Sequence, residues 1–250
     1  MTHVPSRRVV IHVPHASTHL PDAYRAQFGI SEDALQAEIH ASADLHTDHL
    51  AQAIWPQEDI VTSRISRVLL DVERYAEDAQ EGMSRVGRGV IYTHDRFGSS
   101  LQRTVSSKDR AHLLERFYHP HWQRLRQAAA GAVLIDLHTY PAIPWPIEPQ
   151  ALAARPEIDL GTSPGLTPSN WTDALRDHFE RQGFTVAENA PYAGVIDAGA
   201  DAAIMIEIRR DMLGTGPGTV EWARVVTALR HMPHPRHARG TSLGGNEVMS

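Results

Sequence analysis

Four short stretches place reactive side chains at or near the ends of apolar runs. His15 follows the run in "VVIHVPHAST" (residues 9–18), and Asp71, Glu73 and Arg74 follow one in "LLDVER" (69–74). His138 ends "LIDLH" within "LIDLHTY" (134–140), and Glu207 lies inside "IMIEIRR" (204–210). A carboxylate in an apolar strand is costly unless it is paired, hydrogen-bonded or close to a metal. Neutral imidazoles and carboxylates are donors suited to Zn²⁺, and a catalytic zinc commonly takes three protein ligands and a water. Each stretch also has a plain reading. A lone strand-end histidine is usually a hydrogen-bonded structural residue, Arg74 can pair with Glu73, and Glu207 can join Arg209 or Arg210. Two imidazoles, an acid and an arginine at the strand ends of one sheet are a stronger signal than any one of them. There is no HExxH, which excludes a zincin helix. His12, within the first apolar run, reads as structural, and His231, His234 and His237 read as part of a solvated end.

The elements that must position these groups alternate. Arg8–Pro14 reads as a strand. Ser31 caps a helix with Glu32 and Asp33 in its first turn, and the helical pattern continues, with a break near 41–43, to Trp55 before Pro56. Residues 60–63, 68–72 and 88–93 read as short β runs. Ser106 and Asp109 form a capping box for a helix to about Ala130, where Gly131 stops it and Pro120 predicts a kink or split. Residues 132–137 read as a buried strand, and the proline-rich stretch 140–168 as a functional loop or lid. A helix through Gln182, strands at 184–187 and 203–208, and a helix over 219–231 follow. Alternating strands and helices predict a single α/β domain with a mostly parallel, mixed sheet flanked by helices. The expected boundaries are a catalytic domain over 1–232 and a disordered tail over 233–250. In open α/β sheets, ligands bind beyond the carboxyl ends of the strands, where the four stretches end.

Composition narrows the class. Of 250 residues, 42% are hydrophobic and 22% charged, with a net charge of −6, as expected of an ordinary globular protein and without the basic surplus that nucleic acid demands. No apolar run approaches the ~18 residues of a membrane span, and the N-terminus has no long apolar segment of a secretory signal. No cysteine is present, which excludes disulfides, thiolate ligands and cysteine nucleophiles and fits a cytoplasmic setting.

The ordered series "VPHAST", "HASADLHTDHLA", "SRVLLDVER", "GVIYTHDRFG", "FYHPHWQRL", "LIDLHTY", "DLGT" and "IMIEIRRDML" resembles the N-formylglutamate amidohydrolase family over roughly residues 9–213. The resemblance extends to zinc carboxypeptidase-like folds. It implies one Zn²⁺, or another divalent ion, held by His15, His138 and an acid. Carboxypeptidases take a glutamate three residues after the first histidine, where this chain has Thr18. The family's aspartate lies six residues before a leucine, which matches Asp44 and Leu50, with Asp48 one turn on as the fallback. Glu207 would be the catalytic base, and Arg74, with Arg67, would hold a substrate carboxylate; either arginine could instead help stabilise the oxyanion.

The implied reaction is zinc-dependent cleavage of the amide of an N-acyl amino acid such as N-formylglutamate, to a carboxylic acid and a free amino acid. One departure is Glu73, where the family usually has Asn. It weakens the case for that particular substrate and leaves open a cationic or neutral group. The alternatives are a hydrolase of another N-acyl amino acid or short peptide, a non-catalytic binding protein on this fold, and a metal-free α/β protein with structural histidines. The expected partner is the small-molecule substrate, with no nucleic acid and no membrane.

Overall fold

The computed structural model describes residues 8–148 and 155–235. Its framework is a six-stranded sheet in the order β2-β1-β3-β6-β4-β5. The strands are β1 (Val9–Val13), β2 (Asp59–Thr62), β3 (Val133–Tyr140), β4 (Ile158–Gly161), β5 (Val186–Glu188) and β6 (Ala202–Arg209). β2, β1, β3 and β6 are parallel, β4 runs antiparallel to β6, and β5 runs parallel to β4. The helices are α1 (Asp22–Arg25), α2 (Glu32–Ser42), α3 (Thr47–Ile54), α4 (Ser107–Leu113), α5 (His119–Ala129), α6 (Ser169–Arg181) and α7 (Val220–Arg230). This is the expected α/β domain with a mostly parallel, mixed sheet. None of the described helices is long and apolar enough to cross a membrane.

The side-chain period of two assigns the strands' two faces. Val9, Ile11, Val13, Ile135, Leu137, Ile204, Ile206 and Ile208 pack with residues of α3, α6 and α7 in the largest core. On the other face, Val10, Leu134 and Ala203 meet Leu125 and Ala129 of α5. Further along that second face, toward the carboxyl ends, the apolar residues give way to His12, Asp136, His138 and Glu207. A separate apolar cluster, built from α2 and residues 65–72, 90–92 and 101, forms an additional layer.

Several local expectations match. The Ser31 hydroxyl accepts from the Ala34 amide at 3.3 Å, and Ser106 with Asp109 closes a reciprocal capping box. The helix before β3 passes through a π turn over Leu114–Tyr118, and Pro120 follows it as the second residue of α5, so the expected break takes the form of that turn.

Three expectations need correction. Residues 68–72 and 88–93 are not strands. They are buried turns, with only an isolated bridge between Arg88 and Tyr92. Their carbonyls find another donor: buried Arg103 donates to Val68 O, Leu69 O and Tyr92 O at 3.2, 3.0 and 3.3 Å. Finally, the proline-rich stretch 140–168 is not loop throughout, because it contains β4. Residues 149–154 of that stretch, and 236–250 of the expected tail, lie outside the described residues.

Candidate active site

The site is assembled where β1, β3 and β6 end. In register, His12 stands beside Asp136, and His138 beside Glu207. Paired residues on adjacent strands share a face, so three strands deliver two imidazoles and two carboxylates to one patch. His15 follows β1 by two residues. Its carbonyl accepts from the Asp44 amide at 2.9 Å, which ties the break between α2 and α3 to the strand end. Ala43 is extended, and His46 adopts φ 71° before α3 begins. The interrupted helix therefore turns Asp44 inward, where it is buried.

Three donor atoms converge. His15 Nδ1 and His138 Nδ1 are 3.3 Å apart, and Asp44 Oδ2 is 3.6 Å from the first and 3.2 Å from the second. Ligands ~2.1 Å from an ion stand roughly 3.4 Å apart at a tetrahedral angle, so this triangle fits a four-coordinate metal. The His15 ring is oriented from behind, with Nε2 2.8 Å from Asp71 Oδ1. With the proton on Nε2, the Nδ1 lone pair faces the triangle. Asp44 Oδ1 accepts from Arg210 Nη2 at 3.1 Å. Asp48, by contrast, is exposed on α3 and accepts from the His49 amide.

Asp71 is the hub of the wall beside the triangle. Its Oδ2 accepts from Arg67 Nε at 3.0 Å, Arg67 Nη2 at 2.7 Å and the Tyr92 hydroxyl at 2.8 Å. Arg74 Nε lies farther off, 3.7 Å from Asp71, is buried, and has no hydrogen-bond partner among the described residues. Arg67 is thus committed to Asp71, whereas Arg74 keeps a free donor.

Burial and charge oppose each other throughout. Burial works against ionising Asp44, but hydrogen bonds from His138 and His15 and the Arg210 charge hold it well below the usual carboxylate range. Asp71 is likewise held low against its burial, by Arg67 and His15. Burial disfavours a charged His138, yet Glu73 and Asp136 push it well above the ordinary imidazole value. Imidazolium protons and a bound cation are alternative ways to satisfy these carboxylates. Glu207 goes the other way, pushed by burial up to about 8, with His138 as the largest opposing influence. Its Oε2 has no hydrogen-bond partner among the described residues.

These groups open into a cavity of about 1010 Å³ that also reaches Glu73, Tyr140, Trp145 and Tyr192. Trp145 lies between Arg88 and Arg210, with the guanidinium carbons 5.2 and 5.7 Å from its ring. Tyr192 donates to Glu148 at 3.0 Å. Its loop passes close over Gly161, where a Cβ would stand 2.3 Å from Gly194 O.

The structure thus gathers His15, Asp44, His138 and Glu207 into one patch, with Arg67 and Arg74 in the adjoining wall. Sequence reasoning gave no role to Asp71, Asp136 or His121. The first two were detectable in principle, one turn-like residue after a buried run and one face-mate of His138 two positions before it. His121 lies on α5 and carried no signal of its own.

A model of the N-formylglutamate amidohydrolase family matches residues 7–213. No curated protein sequence matches the chain. Among solved structures, an N-formylglutamate amidohydrolase from Ralstonia eutropha JMP134 superposes with a TM-score of 0.72 at 20% identity, over 91% of this chain and 92% of the other. A gene product of Agrobacterium tumefaciens gives 0.70 at 22% identity, over 90% and 88%. At these identities the superpositions establish the shared fold, and the family match covers most of the sequence: this chain belongs to the N-formylglutamate amidohydrolase family.

Proposed function

We propose that this amidohydrolase is metal-dependent and cleaves the amide of a small N-acyl amino acid, N-formylglutamate or a near relative. The observation that carries the reading is the convergence of His15 Nδ1, His138 Nδ1 and Asp44 Oδ2 within 3.2–3.6 Å beside the partnerless Glu207 Oε2. These three side chains would hold Zn²⁺ or another divalent ion. When bound, the ion supplies Lewis acidity, polarising the acyl oxygen and easing deprotonation of water.

Glu207 then takes a proton from the attacking water and passes it to the leaving nitrogen as the acyl C–N bond breaks. Burial raises the Glu207 carboxyl in the metal-free protein, and a bound cation would bring it back toward the carboxylate that a base requires. Arg74 grips the substrate carboxylate through its free donors, and Arg67 fixes Asp71 while keeping Nη1 for the substrate or the developing oxyanion. The products are a carboxylic acid, formate for a formyl substrate, and the free amino acid.

The test combines Glu207→Gln with metal analysis and turnover of N-formylglutamate and related N-acyl amino acids. The variant should keep its metal and lose roughly 10²-fold or more in kcat. Comparable activity in both proteins would remove Glu207 as the base. Wild-type protein that holds no metal after purification with ample zinc would remove the metal reading.

A further inference from the structure

Behind the triangle lies a second set of donors that the proposed reaction does not use. His12 Nδ1 is 2.8 Å from Asp136 Oδ1 and 3.4 Å from Glu73 Oε1. One donor atom from each of these three residues falls within 4.8 Å of the others. Ligands ~2.1 Å from an ion stand roughly 3.0 Å apart at a right angle and roughly 3.4 Å at a tetrahedral angle, so both measured separations suit shared coordination. Histidine nitrogen with two carboxylate oxygens is a donor set for a divalent ion such as Zn²⁺ or Mn²⁺.

Three further observations point to a cation here. First, His12 Nε2 is 2.8 Å from His121 Nε2, the kind of outer partner that fixes a ligating imidazole. If a neutral His12 donates that proton, its Nδ1 lone pair faces Asp136 Oδ1 at 2.8 Å, and a shared cation would relieve the repulsion that an Nδ1 proton otherwise removes. Second, the charges do not balance. Among the described residues, Glu73 and Asp136 have only histidines as cationic partners within 4 Å: His12 for both, His138 for both, and His15 for Glu73. If His15 and His138 are neutral ligands of the first ion, two buried carboxylates share at most one imidazolium. Third, a buried carboxylate oxygen facing this space, Glu73 Oε1, has no hydrogen-bond partner among the described residues.

We propose that His12, Glu73 and Asp136 form a second divalent-cation site adjoining the first. The charge argument rests on His15 and His138 being ligands of the first ion, while the donor geometry does not. The site explains why glutamate stands at 73, where asparagine would supply a neutral oxygen.

The test is metal stoichiometry. The full-length protein is equilibrated with Zn²⁺, and separately with Mn²⁺, freed of loose ions by gel filtration and analysed by mass spectrometry. Two ions per chain are expected for the wild type and one for Glu73→Asn and His12→Gln. Asp44→Asn should lose the first ion and retain the second. Anomalous diffraction from wild-type crystals locates the ions even if a variant fails to fold. Saturation at one ion with both metals, or a second ion not bound by His12, overturns the proposal. A wild type with no ion at the His15–Asp44–His138 triangle but one at His12 overturns the first-site reading instead.

Discussion

The two faces of the same three strands have opposite characters. One face of β1, β3 and β6 is apolar along nearly its whole length, with Ile11, Ile135, Leu137, Ile204, Ile206 and Ile208 packed under α3, α6 and α7 and Thr139 as the exception near the end of β3. The other begins apolar, at Val10, Leu134 and Ala203, and ends in His12, Asp136, His138 and Glu207. Adjacent residues therefore divide the work. The apolar face supplies cohesion, and the polar half-face is tolerable only because its charges meet one another.

The sharpest way to probe that division is the neighbouring pair Leu137 and His138. His138→Ala removes a proposed ligand and should abolish the ion at the His15–Asp44–His138 triangle and measurable turnover. Leu137→Ala leaves the donors in place but cuts a fully buried side chain, at a cost of ~2–5 kcal/mol. At ~2–4 °C per kcal/mol, calorimetry should show a clear drop in Tm with turnover retained in the cold. If both variants lose metal while still folded, the faces are not independent.

Glu207 tests the energetic tension on the polar face. Its folded-state pKa of about 8 lies above the ordinary 4.5, so the fold favours the neutral carboxyl. That contribution is fully present below about 4.5 and is lost as pH rises through about 8. Metal-free Glu207→Gln should therefore gain stability over metal-free wild type as pH climbs across this window, by several °C at pH 9. Parallel melting curves from pH 5 to 9 would show that burial does not disfavour the carboxylate.

How much of this could be read beforehand divides along the same line. The strand ends carrying His15, His138 and Glu207 stood out because the residues sit at the edge of, or within, apolar runs. Asp44 could be chosen only through its spacing to Leu50 in the family pattern, since nothing in "ASADLHTD" itself separates it from Asp48. The misread strands at 68–72 and 88–93 have a physical cause. A short buried apolar run looks the same whether a neighbouring strand or the distant Arg103 satisfies its carbonyls. β4 was hidden by the prolines around it, and its four residues follow a stretch that reads as loop. The contacts that Asp71, Glu73, Asp136 and His121 make with His12, His15 and His138 required the fold, because those four residues come from three separate segments.

Asp71 shows how far the polar face depends on its outer partners. Asp71→Asn keeps the shape but weakens acceptance from His15 Nε2, and an amide turned the other way would present a donor instead. Loss of such an outer carboxylate typically costs 10–100-fold in metal affinity. Competition with a chromophoric chelator should register it, and unchanged affinity would mean that His15 is oriented by Glu73, 3.5 Å away, instead.

Tyr92→Phe is the finest cut. It removes only the hydroxyl that donates to Asp71 Oδ2 at 2.8 Å and keeps the ring that lies 4.3 Å from the Arg88 guanidinium. The same oxygen retains two donors from Arg67, so Asp71 stays ionised and aimed at His15. The cost should be that of one buried hydrogen bond, ~0.5–1.5 kcal/mol in a denaturant melt, with metal affinity changed by no more than a few-fold. A loss as large as that of Asp71→Asn would mean that the phenol, rather than the arginine, sets the carboxylate's position. The arginine at 67 would then be free for the substrate, shifting the balance between Arg67 and Arg74 in the proposed binding of its carboxylate.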